Sequence, residues 1–168
     1  MELTVKCSRN LNKLIKQLNA IDKEAKKIGI NSSADIAKAA LAILKGHIEN
    51  QDLPWKKLSE SWLYAKIRQG LSEDIYVATG EFLKGLRIKK VKDRNIWRIG
   101  AFKEDLHKPS GLSMAKIAKV LEYGLPERGL PPRPLFRPSQ KDLAVFIRTY
   151  IKVVGNKIRK MIKEKLRI

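Results

Sequence analysis

Residues 121–139, LEYGLPERGLPPRPLFRPS, stiffen the chain just ahead of its last long amphipathic pattern. Proline fixes φ, lacks a backbone N–H and pushes the residue before it toward extended conformations. The sequence therefore predicts a stiff, extended arm over residues 130–134. Whatever this arm contacts should determine how the last helix is attached to the rest of the molecule.

Three roles for the arm remain open from the residues alone. Pro131 and Pro134 have the spacing of a P-x-x-P ligand, which adaptor domains bind in extended form. The arm would also serve as a rigid lead-in to the last helix. Its third role is assembly, because a pre-extended segment loses little entropy on docking and Arg133 would form a forked pair with a carboxylate of a neighbour.

Length and composition predict one domain over 1–168, since 168 residues with 43% hydrophobic content suffice for a core. No apolar run approaches the roughly 20 residues of a membrane span, and no signal-peptide pattern opens the chain. We therefore expect no membrane contact and a location in the cytoplasm of the cell that makes the protein. Cys7 is a single cysteine, and neither His47 nor His107 has metal-ligand spacing, so we expect no disulfide, metal or cofactor.

The charge is strongly positive: 36 Lys and Arg against 17 Asp and Glu give a net +19. Such an excess favours an anionic partner, which is nucleic acid, an acidic protein surface or an anionic membrane. The alternative is an ordinary solvated surface, because the lysines are spread along the whole chain. Trp55, Trp62 and Trp97 would suit base stacking, but the strand pattern around Trp97 favours core packing.

The N-terminal half predicts a short strand followed by two helices. Alternation of Leu3, Val5 and Cys7 indicates the strand. The first helix spans residues 11–28 and ends at Gly29, and the second begins at a Ser33 cap and reaches Ile48.

The middle of the chain predicts short helices and one hairpin. Ser59 or Ser61 caps a helix through Ile67, and Thr79 caps a further turn. Apolar and basic residues alternate on both sides of the polar turn 92–95, which indicates a hairpin with one buried face. Ser113 starts a helix that Gly124 ends.

The last helix is predicted over 140–167, with Ser139 and Asp142 as a capping box. One face carries an apolar stripe: Leu143, Ile147, Tyr150, Val154, Ile158 and Met161. The opposite face carries a basic ridge: Lys141, Arg148, Lys152, Arg159 and Lys163. The predicted fold class is α+β, a small, mainly antiparallel sheet packed with amphipathic helices and ending in a long C-terminal helix.

No catalytic motif appears in the sequence. There is no glycine-rich phosphate loop, nucleophile elbow or metal-ligand helix, and the carboxylates form no arrangement with nameable chemistry. We therefore expect a protein that is not an enzyme.

The segment PWKKLSESWLYAKIRQGLSEDIYVATGEFLKGLRI, then WRIG, then KVLEYGLPERGLPPRPLFRPS, resembles the virion morphogenesis family of tailed bacteriophages. These are the tail-completion and head-to-tail joining proteins, and the resemblance covers a motif-bearing core at 54–139, about half of the chain. Leu121 departs from the family's usual histidine, and Leu135 separates Pro134 from its phenylalanine. The matching residues are Pro54, Trp55, Leu58, Ser59, Lys66, Thr79, Gly80, Leu83, Gly100, Glu122, Gly124, Pro131, Arg133, Pro134 and, displaced by one, Phe136.

The resemblance implies a non-enzymatic neck protein that caps the finished tail and joins it to the head. It implies a homo-oligomeric ring such as a hexamer, located in the virion, with the tail tube and head-tail connector as partners and possible contact with packaged DNA. A basic nucleic-acid-binding protein is the alternative. The residues expected at subunit or partner contacts are Trp55, Thr79, Gly80, Glu122, Tyr123, Gly124, Arg133, Pro134 and Phe136.

Overall fold

The chain folds as α+β, as the sequence predicts, in a computed structural model that describes residues 7–92, 94–108 and 110–166. Its one sheet in this described part is a two-stranded antiparallel hairpin. The elements are α1 (Cys7–Asn50), α2 (Glu60–Arg68), α3 (Glu81–Gly85), β1 (Arg87–Lys90), β2 (Trp97–Gly100), α4 (Met114–Tyr123), a 3-10 turn (Pro126–Arg128) and α5 (Phe136–Leu166).

Helices α1 and α5 pack side by side in antiparallel orientation and form what we call the stalk. Near its far end, Gln17 Nε2 donates to the Lys165 carbonyl at 3.0 Å. Near the middle, the Tyr150 hydroxyl donates to Asp35 at 2.7 Å. At a rise of 1.5 Å per residue, the 44 residues of α1 extend about 66 Å and the 31 residues of α5 about 46 Å, so α1 is the longer of the two stalk helices.

The prediction of two N-terminal helices is wrong, because α1 runs unbroken through Gly29 and Ser33. Gly29 does not adopt the left-handed conformation of a helix-ending glycine. Ser33 does not cap a helix: its hydroxyl bonds to the Ile30 carbonyl at 2.7 Å and to Asn95 Oδ1 at 2.8 Å. Packing against α5 and the hairpin outweighs the cost of about 1 kcal/mol for a mid-helix glycine.

The predicted N-terminal strand falls mostly outside the described residues. Leu3 and Val5 lie there, and Cys7 is the first residue of α1 rather than the end of a strand.

Helices α2 and α4 and the hairpin confirm the local signals of the sequence. The Ser59 hydroxyl accepts from the Trp62 N–H, and Ser113 caps α4 in the same way. Helix α4 ends at Gly124. In the hairpin, Ile88 lies opposite Ile99. The prediction that Thr79 caps the next turn is wrong: the cap residue of α3 is Gly80 in a left-handed conformation, and the Thr79 hydroxyl only accepts from the Glu81 N–H at 3.4 Å.

The described residues between α1 and α5 form a region that we call the head, whose core surrounds the C-terminal end of α1. Its core joins α1 to α3, α4 and the loops, so residues far apart in sequence share one apolar interior. The hairpin packs on the middle of α1, where Trp97 Nε1 donates to the Ser33 hydroxyl at 3.2 Å. The buried core residues are Leu44, Ile48, Trp55, Tyr76, Phe82, Leu86, Met114, Ala118 and Leu135.

Helix α5 begins at Phe136, so the predicted start after a capping box at Ser139 is wrong. Ser139 is buried within the first turns, and its hydroxyl donates to the Leu135 carbonyl at 2.7 Å. Asp142 instead lies 2.9 Å from His47 Nε2, and so connects α5 to the end of α1. Pro138 is tolerated here because the first turn of a helix needs no N–H from it.

The two faces predicted for the last helix are confirmed. Every residue of the apolar stripe is buried or partly buried, and all five residues of the basic ridge are exposed. None of the helices in the described part of the chain is both long and apolar enough to cross a membrane.

Candidate functional site

The arm ahead of α5 is held against the head by an aromatic cluster. Trp55 Nε1 donates to the Pro134 carbonyl at 2.7 Å, and the Tyr76 hydroxyl donates to the Arg133 carbonyl. The ring centroids of Trp55 and Tyr76 are 5.0 Å apart, and those of Tyr76 and Phe82 are 5.3 Å apart. Burial, followed by the nearby Glu122 charge, raises the pKa of Tyr76, so its hydroxyl stays a donor across the ordinary pH range.

The Arg133 side chain points into the head. It is buried; Nε donates to the Lys56 carbonyl at 3.0 Å and Nη2 to the Lys57 carbonyl at 3.4 Å. The Arg133 backbone N–H donates to the Leu121 carbonyl at 2.7 Å. These bonds join the arm to the loop after Trp55, and the forked pair of Arg133 with a neighbour's carboxylate stays a prediction.

Glu122 is the true cap of α5. Its buried carboxylate accepts from the backbone N–H groups of Leu135 at 2.7 Å, Phe136 at 2.9 Å and Arg137 at 3.2 Å. These donors have no partner inside the helix, and their dipoles favour a negative charge. A residue at the end of α4 thus fixes the direction in which α5 leaves the head.

Gly124 turns the chain from α4 into the arm. Its φ of 75° is left-handed, and a Cβ there would lie 2.7 Å from the Leu130 carbonyl oxygen and 2.8 Å from Pro132 N. Only glycine fits this approach. Phe136 packs closely on Gly100, so the start of α5 also touches the end of the hairpin.

The structure thus brings together five of the predicted contact residues: Trp55, Glu122, Gly124, Arg133 and Pro134. We call these five and Tyr76 the arm network. Its four side-chain donors and acceptors are buried, so its visible role is to hold the arm and orient α5. Tyr76 lies in the apolar run IYVA, a position that indicates a core residue and gives no sign of its bond to the arm.

Of the other four predicted contact residues, Phe136 donates its backbone N–H to Glu122 of the arm network, and the remaining three lie outside the network. Thr79 and Gly80 precede α3, where Thr79 is exposed, and Tyr123 is exposed beside the Arg137 guanidinium, which lies 5.1 Å from its ring. The basic ridge lies on α5 in the stalk, apart from the arm network. The exposed residues keep their subunit or partner role as a prediction.

A cavity of about 250 Å³ lies beside the arm network and contains a second buried cation, Lys66. Lys66 Nζ donates to the Asp74 carbonyl at 2.7 Å. Burial lowers the pKa of Lys66, and the neighbouring Asp74 opposes this shift. Burial also lowers the pKa of Arg133, which lines the same cavity.

Within residues 7–92, 94–108 and 110–166, no cluster of His, Cys, Asp and Glu side chains is arranged to hold a metal ion. Comparison with known proteins found no matching family model, no matching curated protein and no matching solved structure. The function must therefore be argued from the residues and their geometry.

Proposed function

We propose that this protein is a structural component of a tailed-phage or prophage virion, which completes the tail and joins it to the head by assembling as a ring at the neck. The observation that carries the proposal is the arm network. Trp55, Glu122, Gly124, Arg133 and Pro134 are residues on which the sequence resemblance depends, and they meet in one buried network. Motif residues that contact one another and orient a helix suit an assembly protein better than an enzyme.

The stalk supports association between copies. A layer of two helices cannot cover every apolar side chain, and several on both helices remain about half exposed or more. Leu11, Leu14 and Ile15 lie near or beyond the point where α5 ends opposite Gln17. Exposed apolar surface of this kind is typical of an interface. The exposed stalk residues are Leu11, Leu14, Ile15, Leu18, Ile30, Val145, Ile151 and Val153.

The second candidate is a basic nucleic-acid-binding protein, favoured by the exposed basic ridge on α5. Five cations on one helix face would neutralise phosphates along a duplex. In the neck proposal the same ridge faces acidic partners or the DNA in the channel.

The mass of the nuclease-treated protein in solution separates the two. We would measure light scattering on a sizing column at low and at high salt, with and without duplex DNA. A discrete oligomer that persists at high salt supports the ring, because apolar contacts are insensitive to screening. A monomer that binds DNA at low salt, releases it at high salt and does not assemble when mixed with tails would contradict it.

A further inference from the structure

Two buried cations line the cavity in the head without a carboxylate partner. Lys66 is 5% exposed and Arg133 is 8% exposed. Among the residues that the structure describes, neither forms an ion pair, since both donate to backbone carbonyls. Buried charges are ordinarily paired with an opposite charge, because desolvation without compensation is costly.

The acidic side chains near this cavity are engaged elsewhere. The Asp74 carboxylate accepts from the Ser72 hydroxyl at 3.2 Å. Glu81 accepts from the Lys108 N–H at 3.1 Å and lies 3.9 Å from His107 Nε2. The positive charge inside the cavity therefore has room for an anion from outside.

An open groove continues the cavity toward the surface. The groove, of about 650 Å³, shares Leu58, Trp62 and Arg133 with the cavity and runs between the loop 56–61 and the arm segment 128–131. Its other charged residues are all cations, Lys56, Lys57 and Arg128. Trp62 is 58% exposed and Leu130 is 43% exposed, so the cationic groove also offers apolar surface.

We propose that the groove and the cavity together bind an extended acidic peptide segment of a partner protein, which places a carboxylate against Lys66 and Arg133 and apolar side chains along Trp62 and Leu130. Charge complementarity favours an acidic ligand, because the residues that line the groove and the cavity include five lysines and arginines but one aspartate. The apolar cavity walls, which include Leu71, Ile75 and Ile117, suit an aliphatic side chain. Apolar atoms make up most of the cavity surface, which suits an aliphatic side chain better than a nucleotide base. This inference stands whether or not the protein is a virion component.

The test uses three probes at physiological salt: a short peptide of alternating Glu and Leu, the same peptide with Gln in place of Glu, and an oligothymidine of similar length. Binding is measured by calorimetry and by the fluorescence change of the exposed Trp62. We expect the Glu–Leu peptide to bind and each of the other two to bind at least about tenfold more weakly.

The decisive variant is Lys66→Met, with Lys119→Met as its control. Lys119 is an exposed lysine on α4 outside both spaces. We expect Lys66→Met to weaken peptide binding about thirtyfold or more and to raise the unfolding temperature, while the control changes neither. The Asp74 carbonyl keeps a contact from the Val77 N–H at 3.4 Å in this variant.

A purely structural lysine would give the opposite result, a less stable protein that binds the peptide unchanged. Should Lys66→Met fail to fold, Trp62→Ala replaces it, because its exposed side chain is dispensable for the core. Equal binding of the Gln–Leu peptide, stronger binding of oligothymidine, or no binding of the Glu–Leu peptide would each overturn the proposal.

Discussion

Glu122 shows how one carboxylate controls the junction between the head and the stalk. Its two oxygens accept three backbone N–H groups from residues 135–137, and so cap a helix that begins 14 residues after it. We expect Glu122→Ala to lower the free energy of unfolding by about 2–4 kcal/mol, because buried donors lose their acceptor. Glu122→Gln should cost less, since an amide oxygen still accepts.

Urea unfolding followed by circular dichroism measures this effect. Glu127→Ala is the matched control, because Glu127 is an exposed glutamate in the following turn and its removal should change stability by at most about 0.5 kcal/mol. Similar losses in both variants would show that the capping role is wrong.

Lys66 should make stability depend on pH in a direction set by burial. Because its pKa is lowered in the folded protein, the unfolded chain binds the proton more tightly between that value and 10.5. The contribution of Lys66 to the free energy of unfolding therefore rises as the pH increases through that window. We expect Lys66→Met to be more stable than the native protein by about 1–2 kcal/mol at neutral pH.

That advantage should shrink as the pH rises toward and above 10.5, because Lys66 then loses its proton in the unfolded chain as well as in the folded protein. Urea unfolding of both proteins across this range isolates the contribution, since the other lysines are common to both. A stability difference between the two proteins that does not change with pH would show that folding does not lower the pKa of Lys66.

Among the secondary-structure elements, the unbroken course of α1 can be tested by substituting Gly29. Gly29 is helical, and a Cβ there has open space around it. We expect Gly29→Ala to stabilise the protein by about 0.5–1 kcal/mol, because alanine loses less backbone entropy in a helix. If Gly29 ended a helix in a left-handed conformation, the same change would destabilise it.

Gly124→Ala is the matched contrast, because the same substitution there meets the Leu130 carbonyl at 2.7 Å. Opposite signs for the two alanine variants in thermal unfolding are expected. A loss of stability at Gly29 would restore the two-helix interpretation.

At the scale of the whole molecule, the stalk presents apolar residues that the chain itself does not cover. Leu14 and Leu18 lie one turn apart on α1 and are 43% and 50% exposed. If copies associate through the stalk, the double change Leu14→Ser and Leu18→Ser should lower the oligomer mass in light scattering. It should leave the unfolding of the monomer within about 1 kcal/mol.

Lys13→Ser with Lys16→Ser is the control, because it alters neighbouring exposed positions on the same helix. An oligomer that survives the leucine changes and dissociates with the lysine changes would assign association to charge instead.

Elements with local signals can be predicted from the amino-acid sequence alone. Helices α2 and α4 are predicted by their serine caps, the hairpin by alternation, and the two faces of α5 by helical periodicity, because each signal involves residues within a few positions of one another. Of the arm, the sequence predicts that the segment is stiff, because proline restricts its own φ and the residue before it.

Features that depend on residues far apart in the sequence become visible only in the folded chain. Helix α1 continues through Gly29 because α5 and the hairpin pack along it, and α5 begins at Phe136 because Glu122 caps it from another helix. The Arg133 guanidinium donates to the carbonyl oxygens of residues 56 and 57, a contact that the residues next to Arg133 do not predict. Local patterns carry no information about such pairings, because hydrogen-bond partners far apart in sequence are chosen by the packing of the whole core.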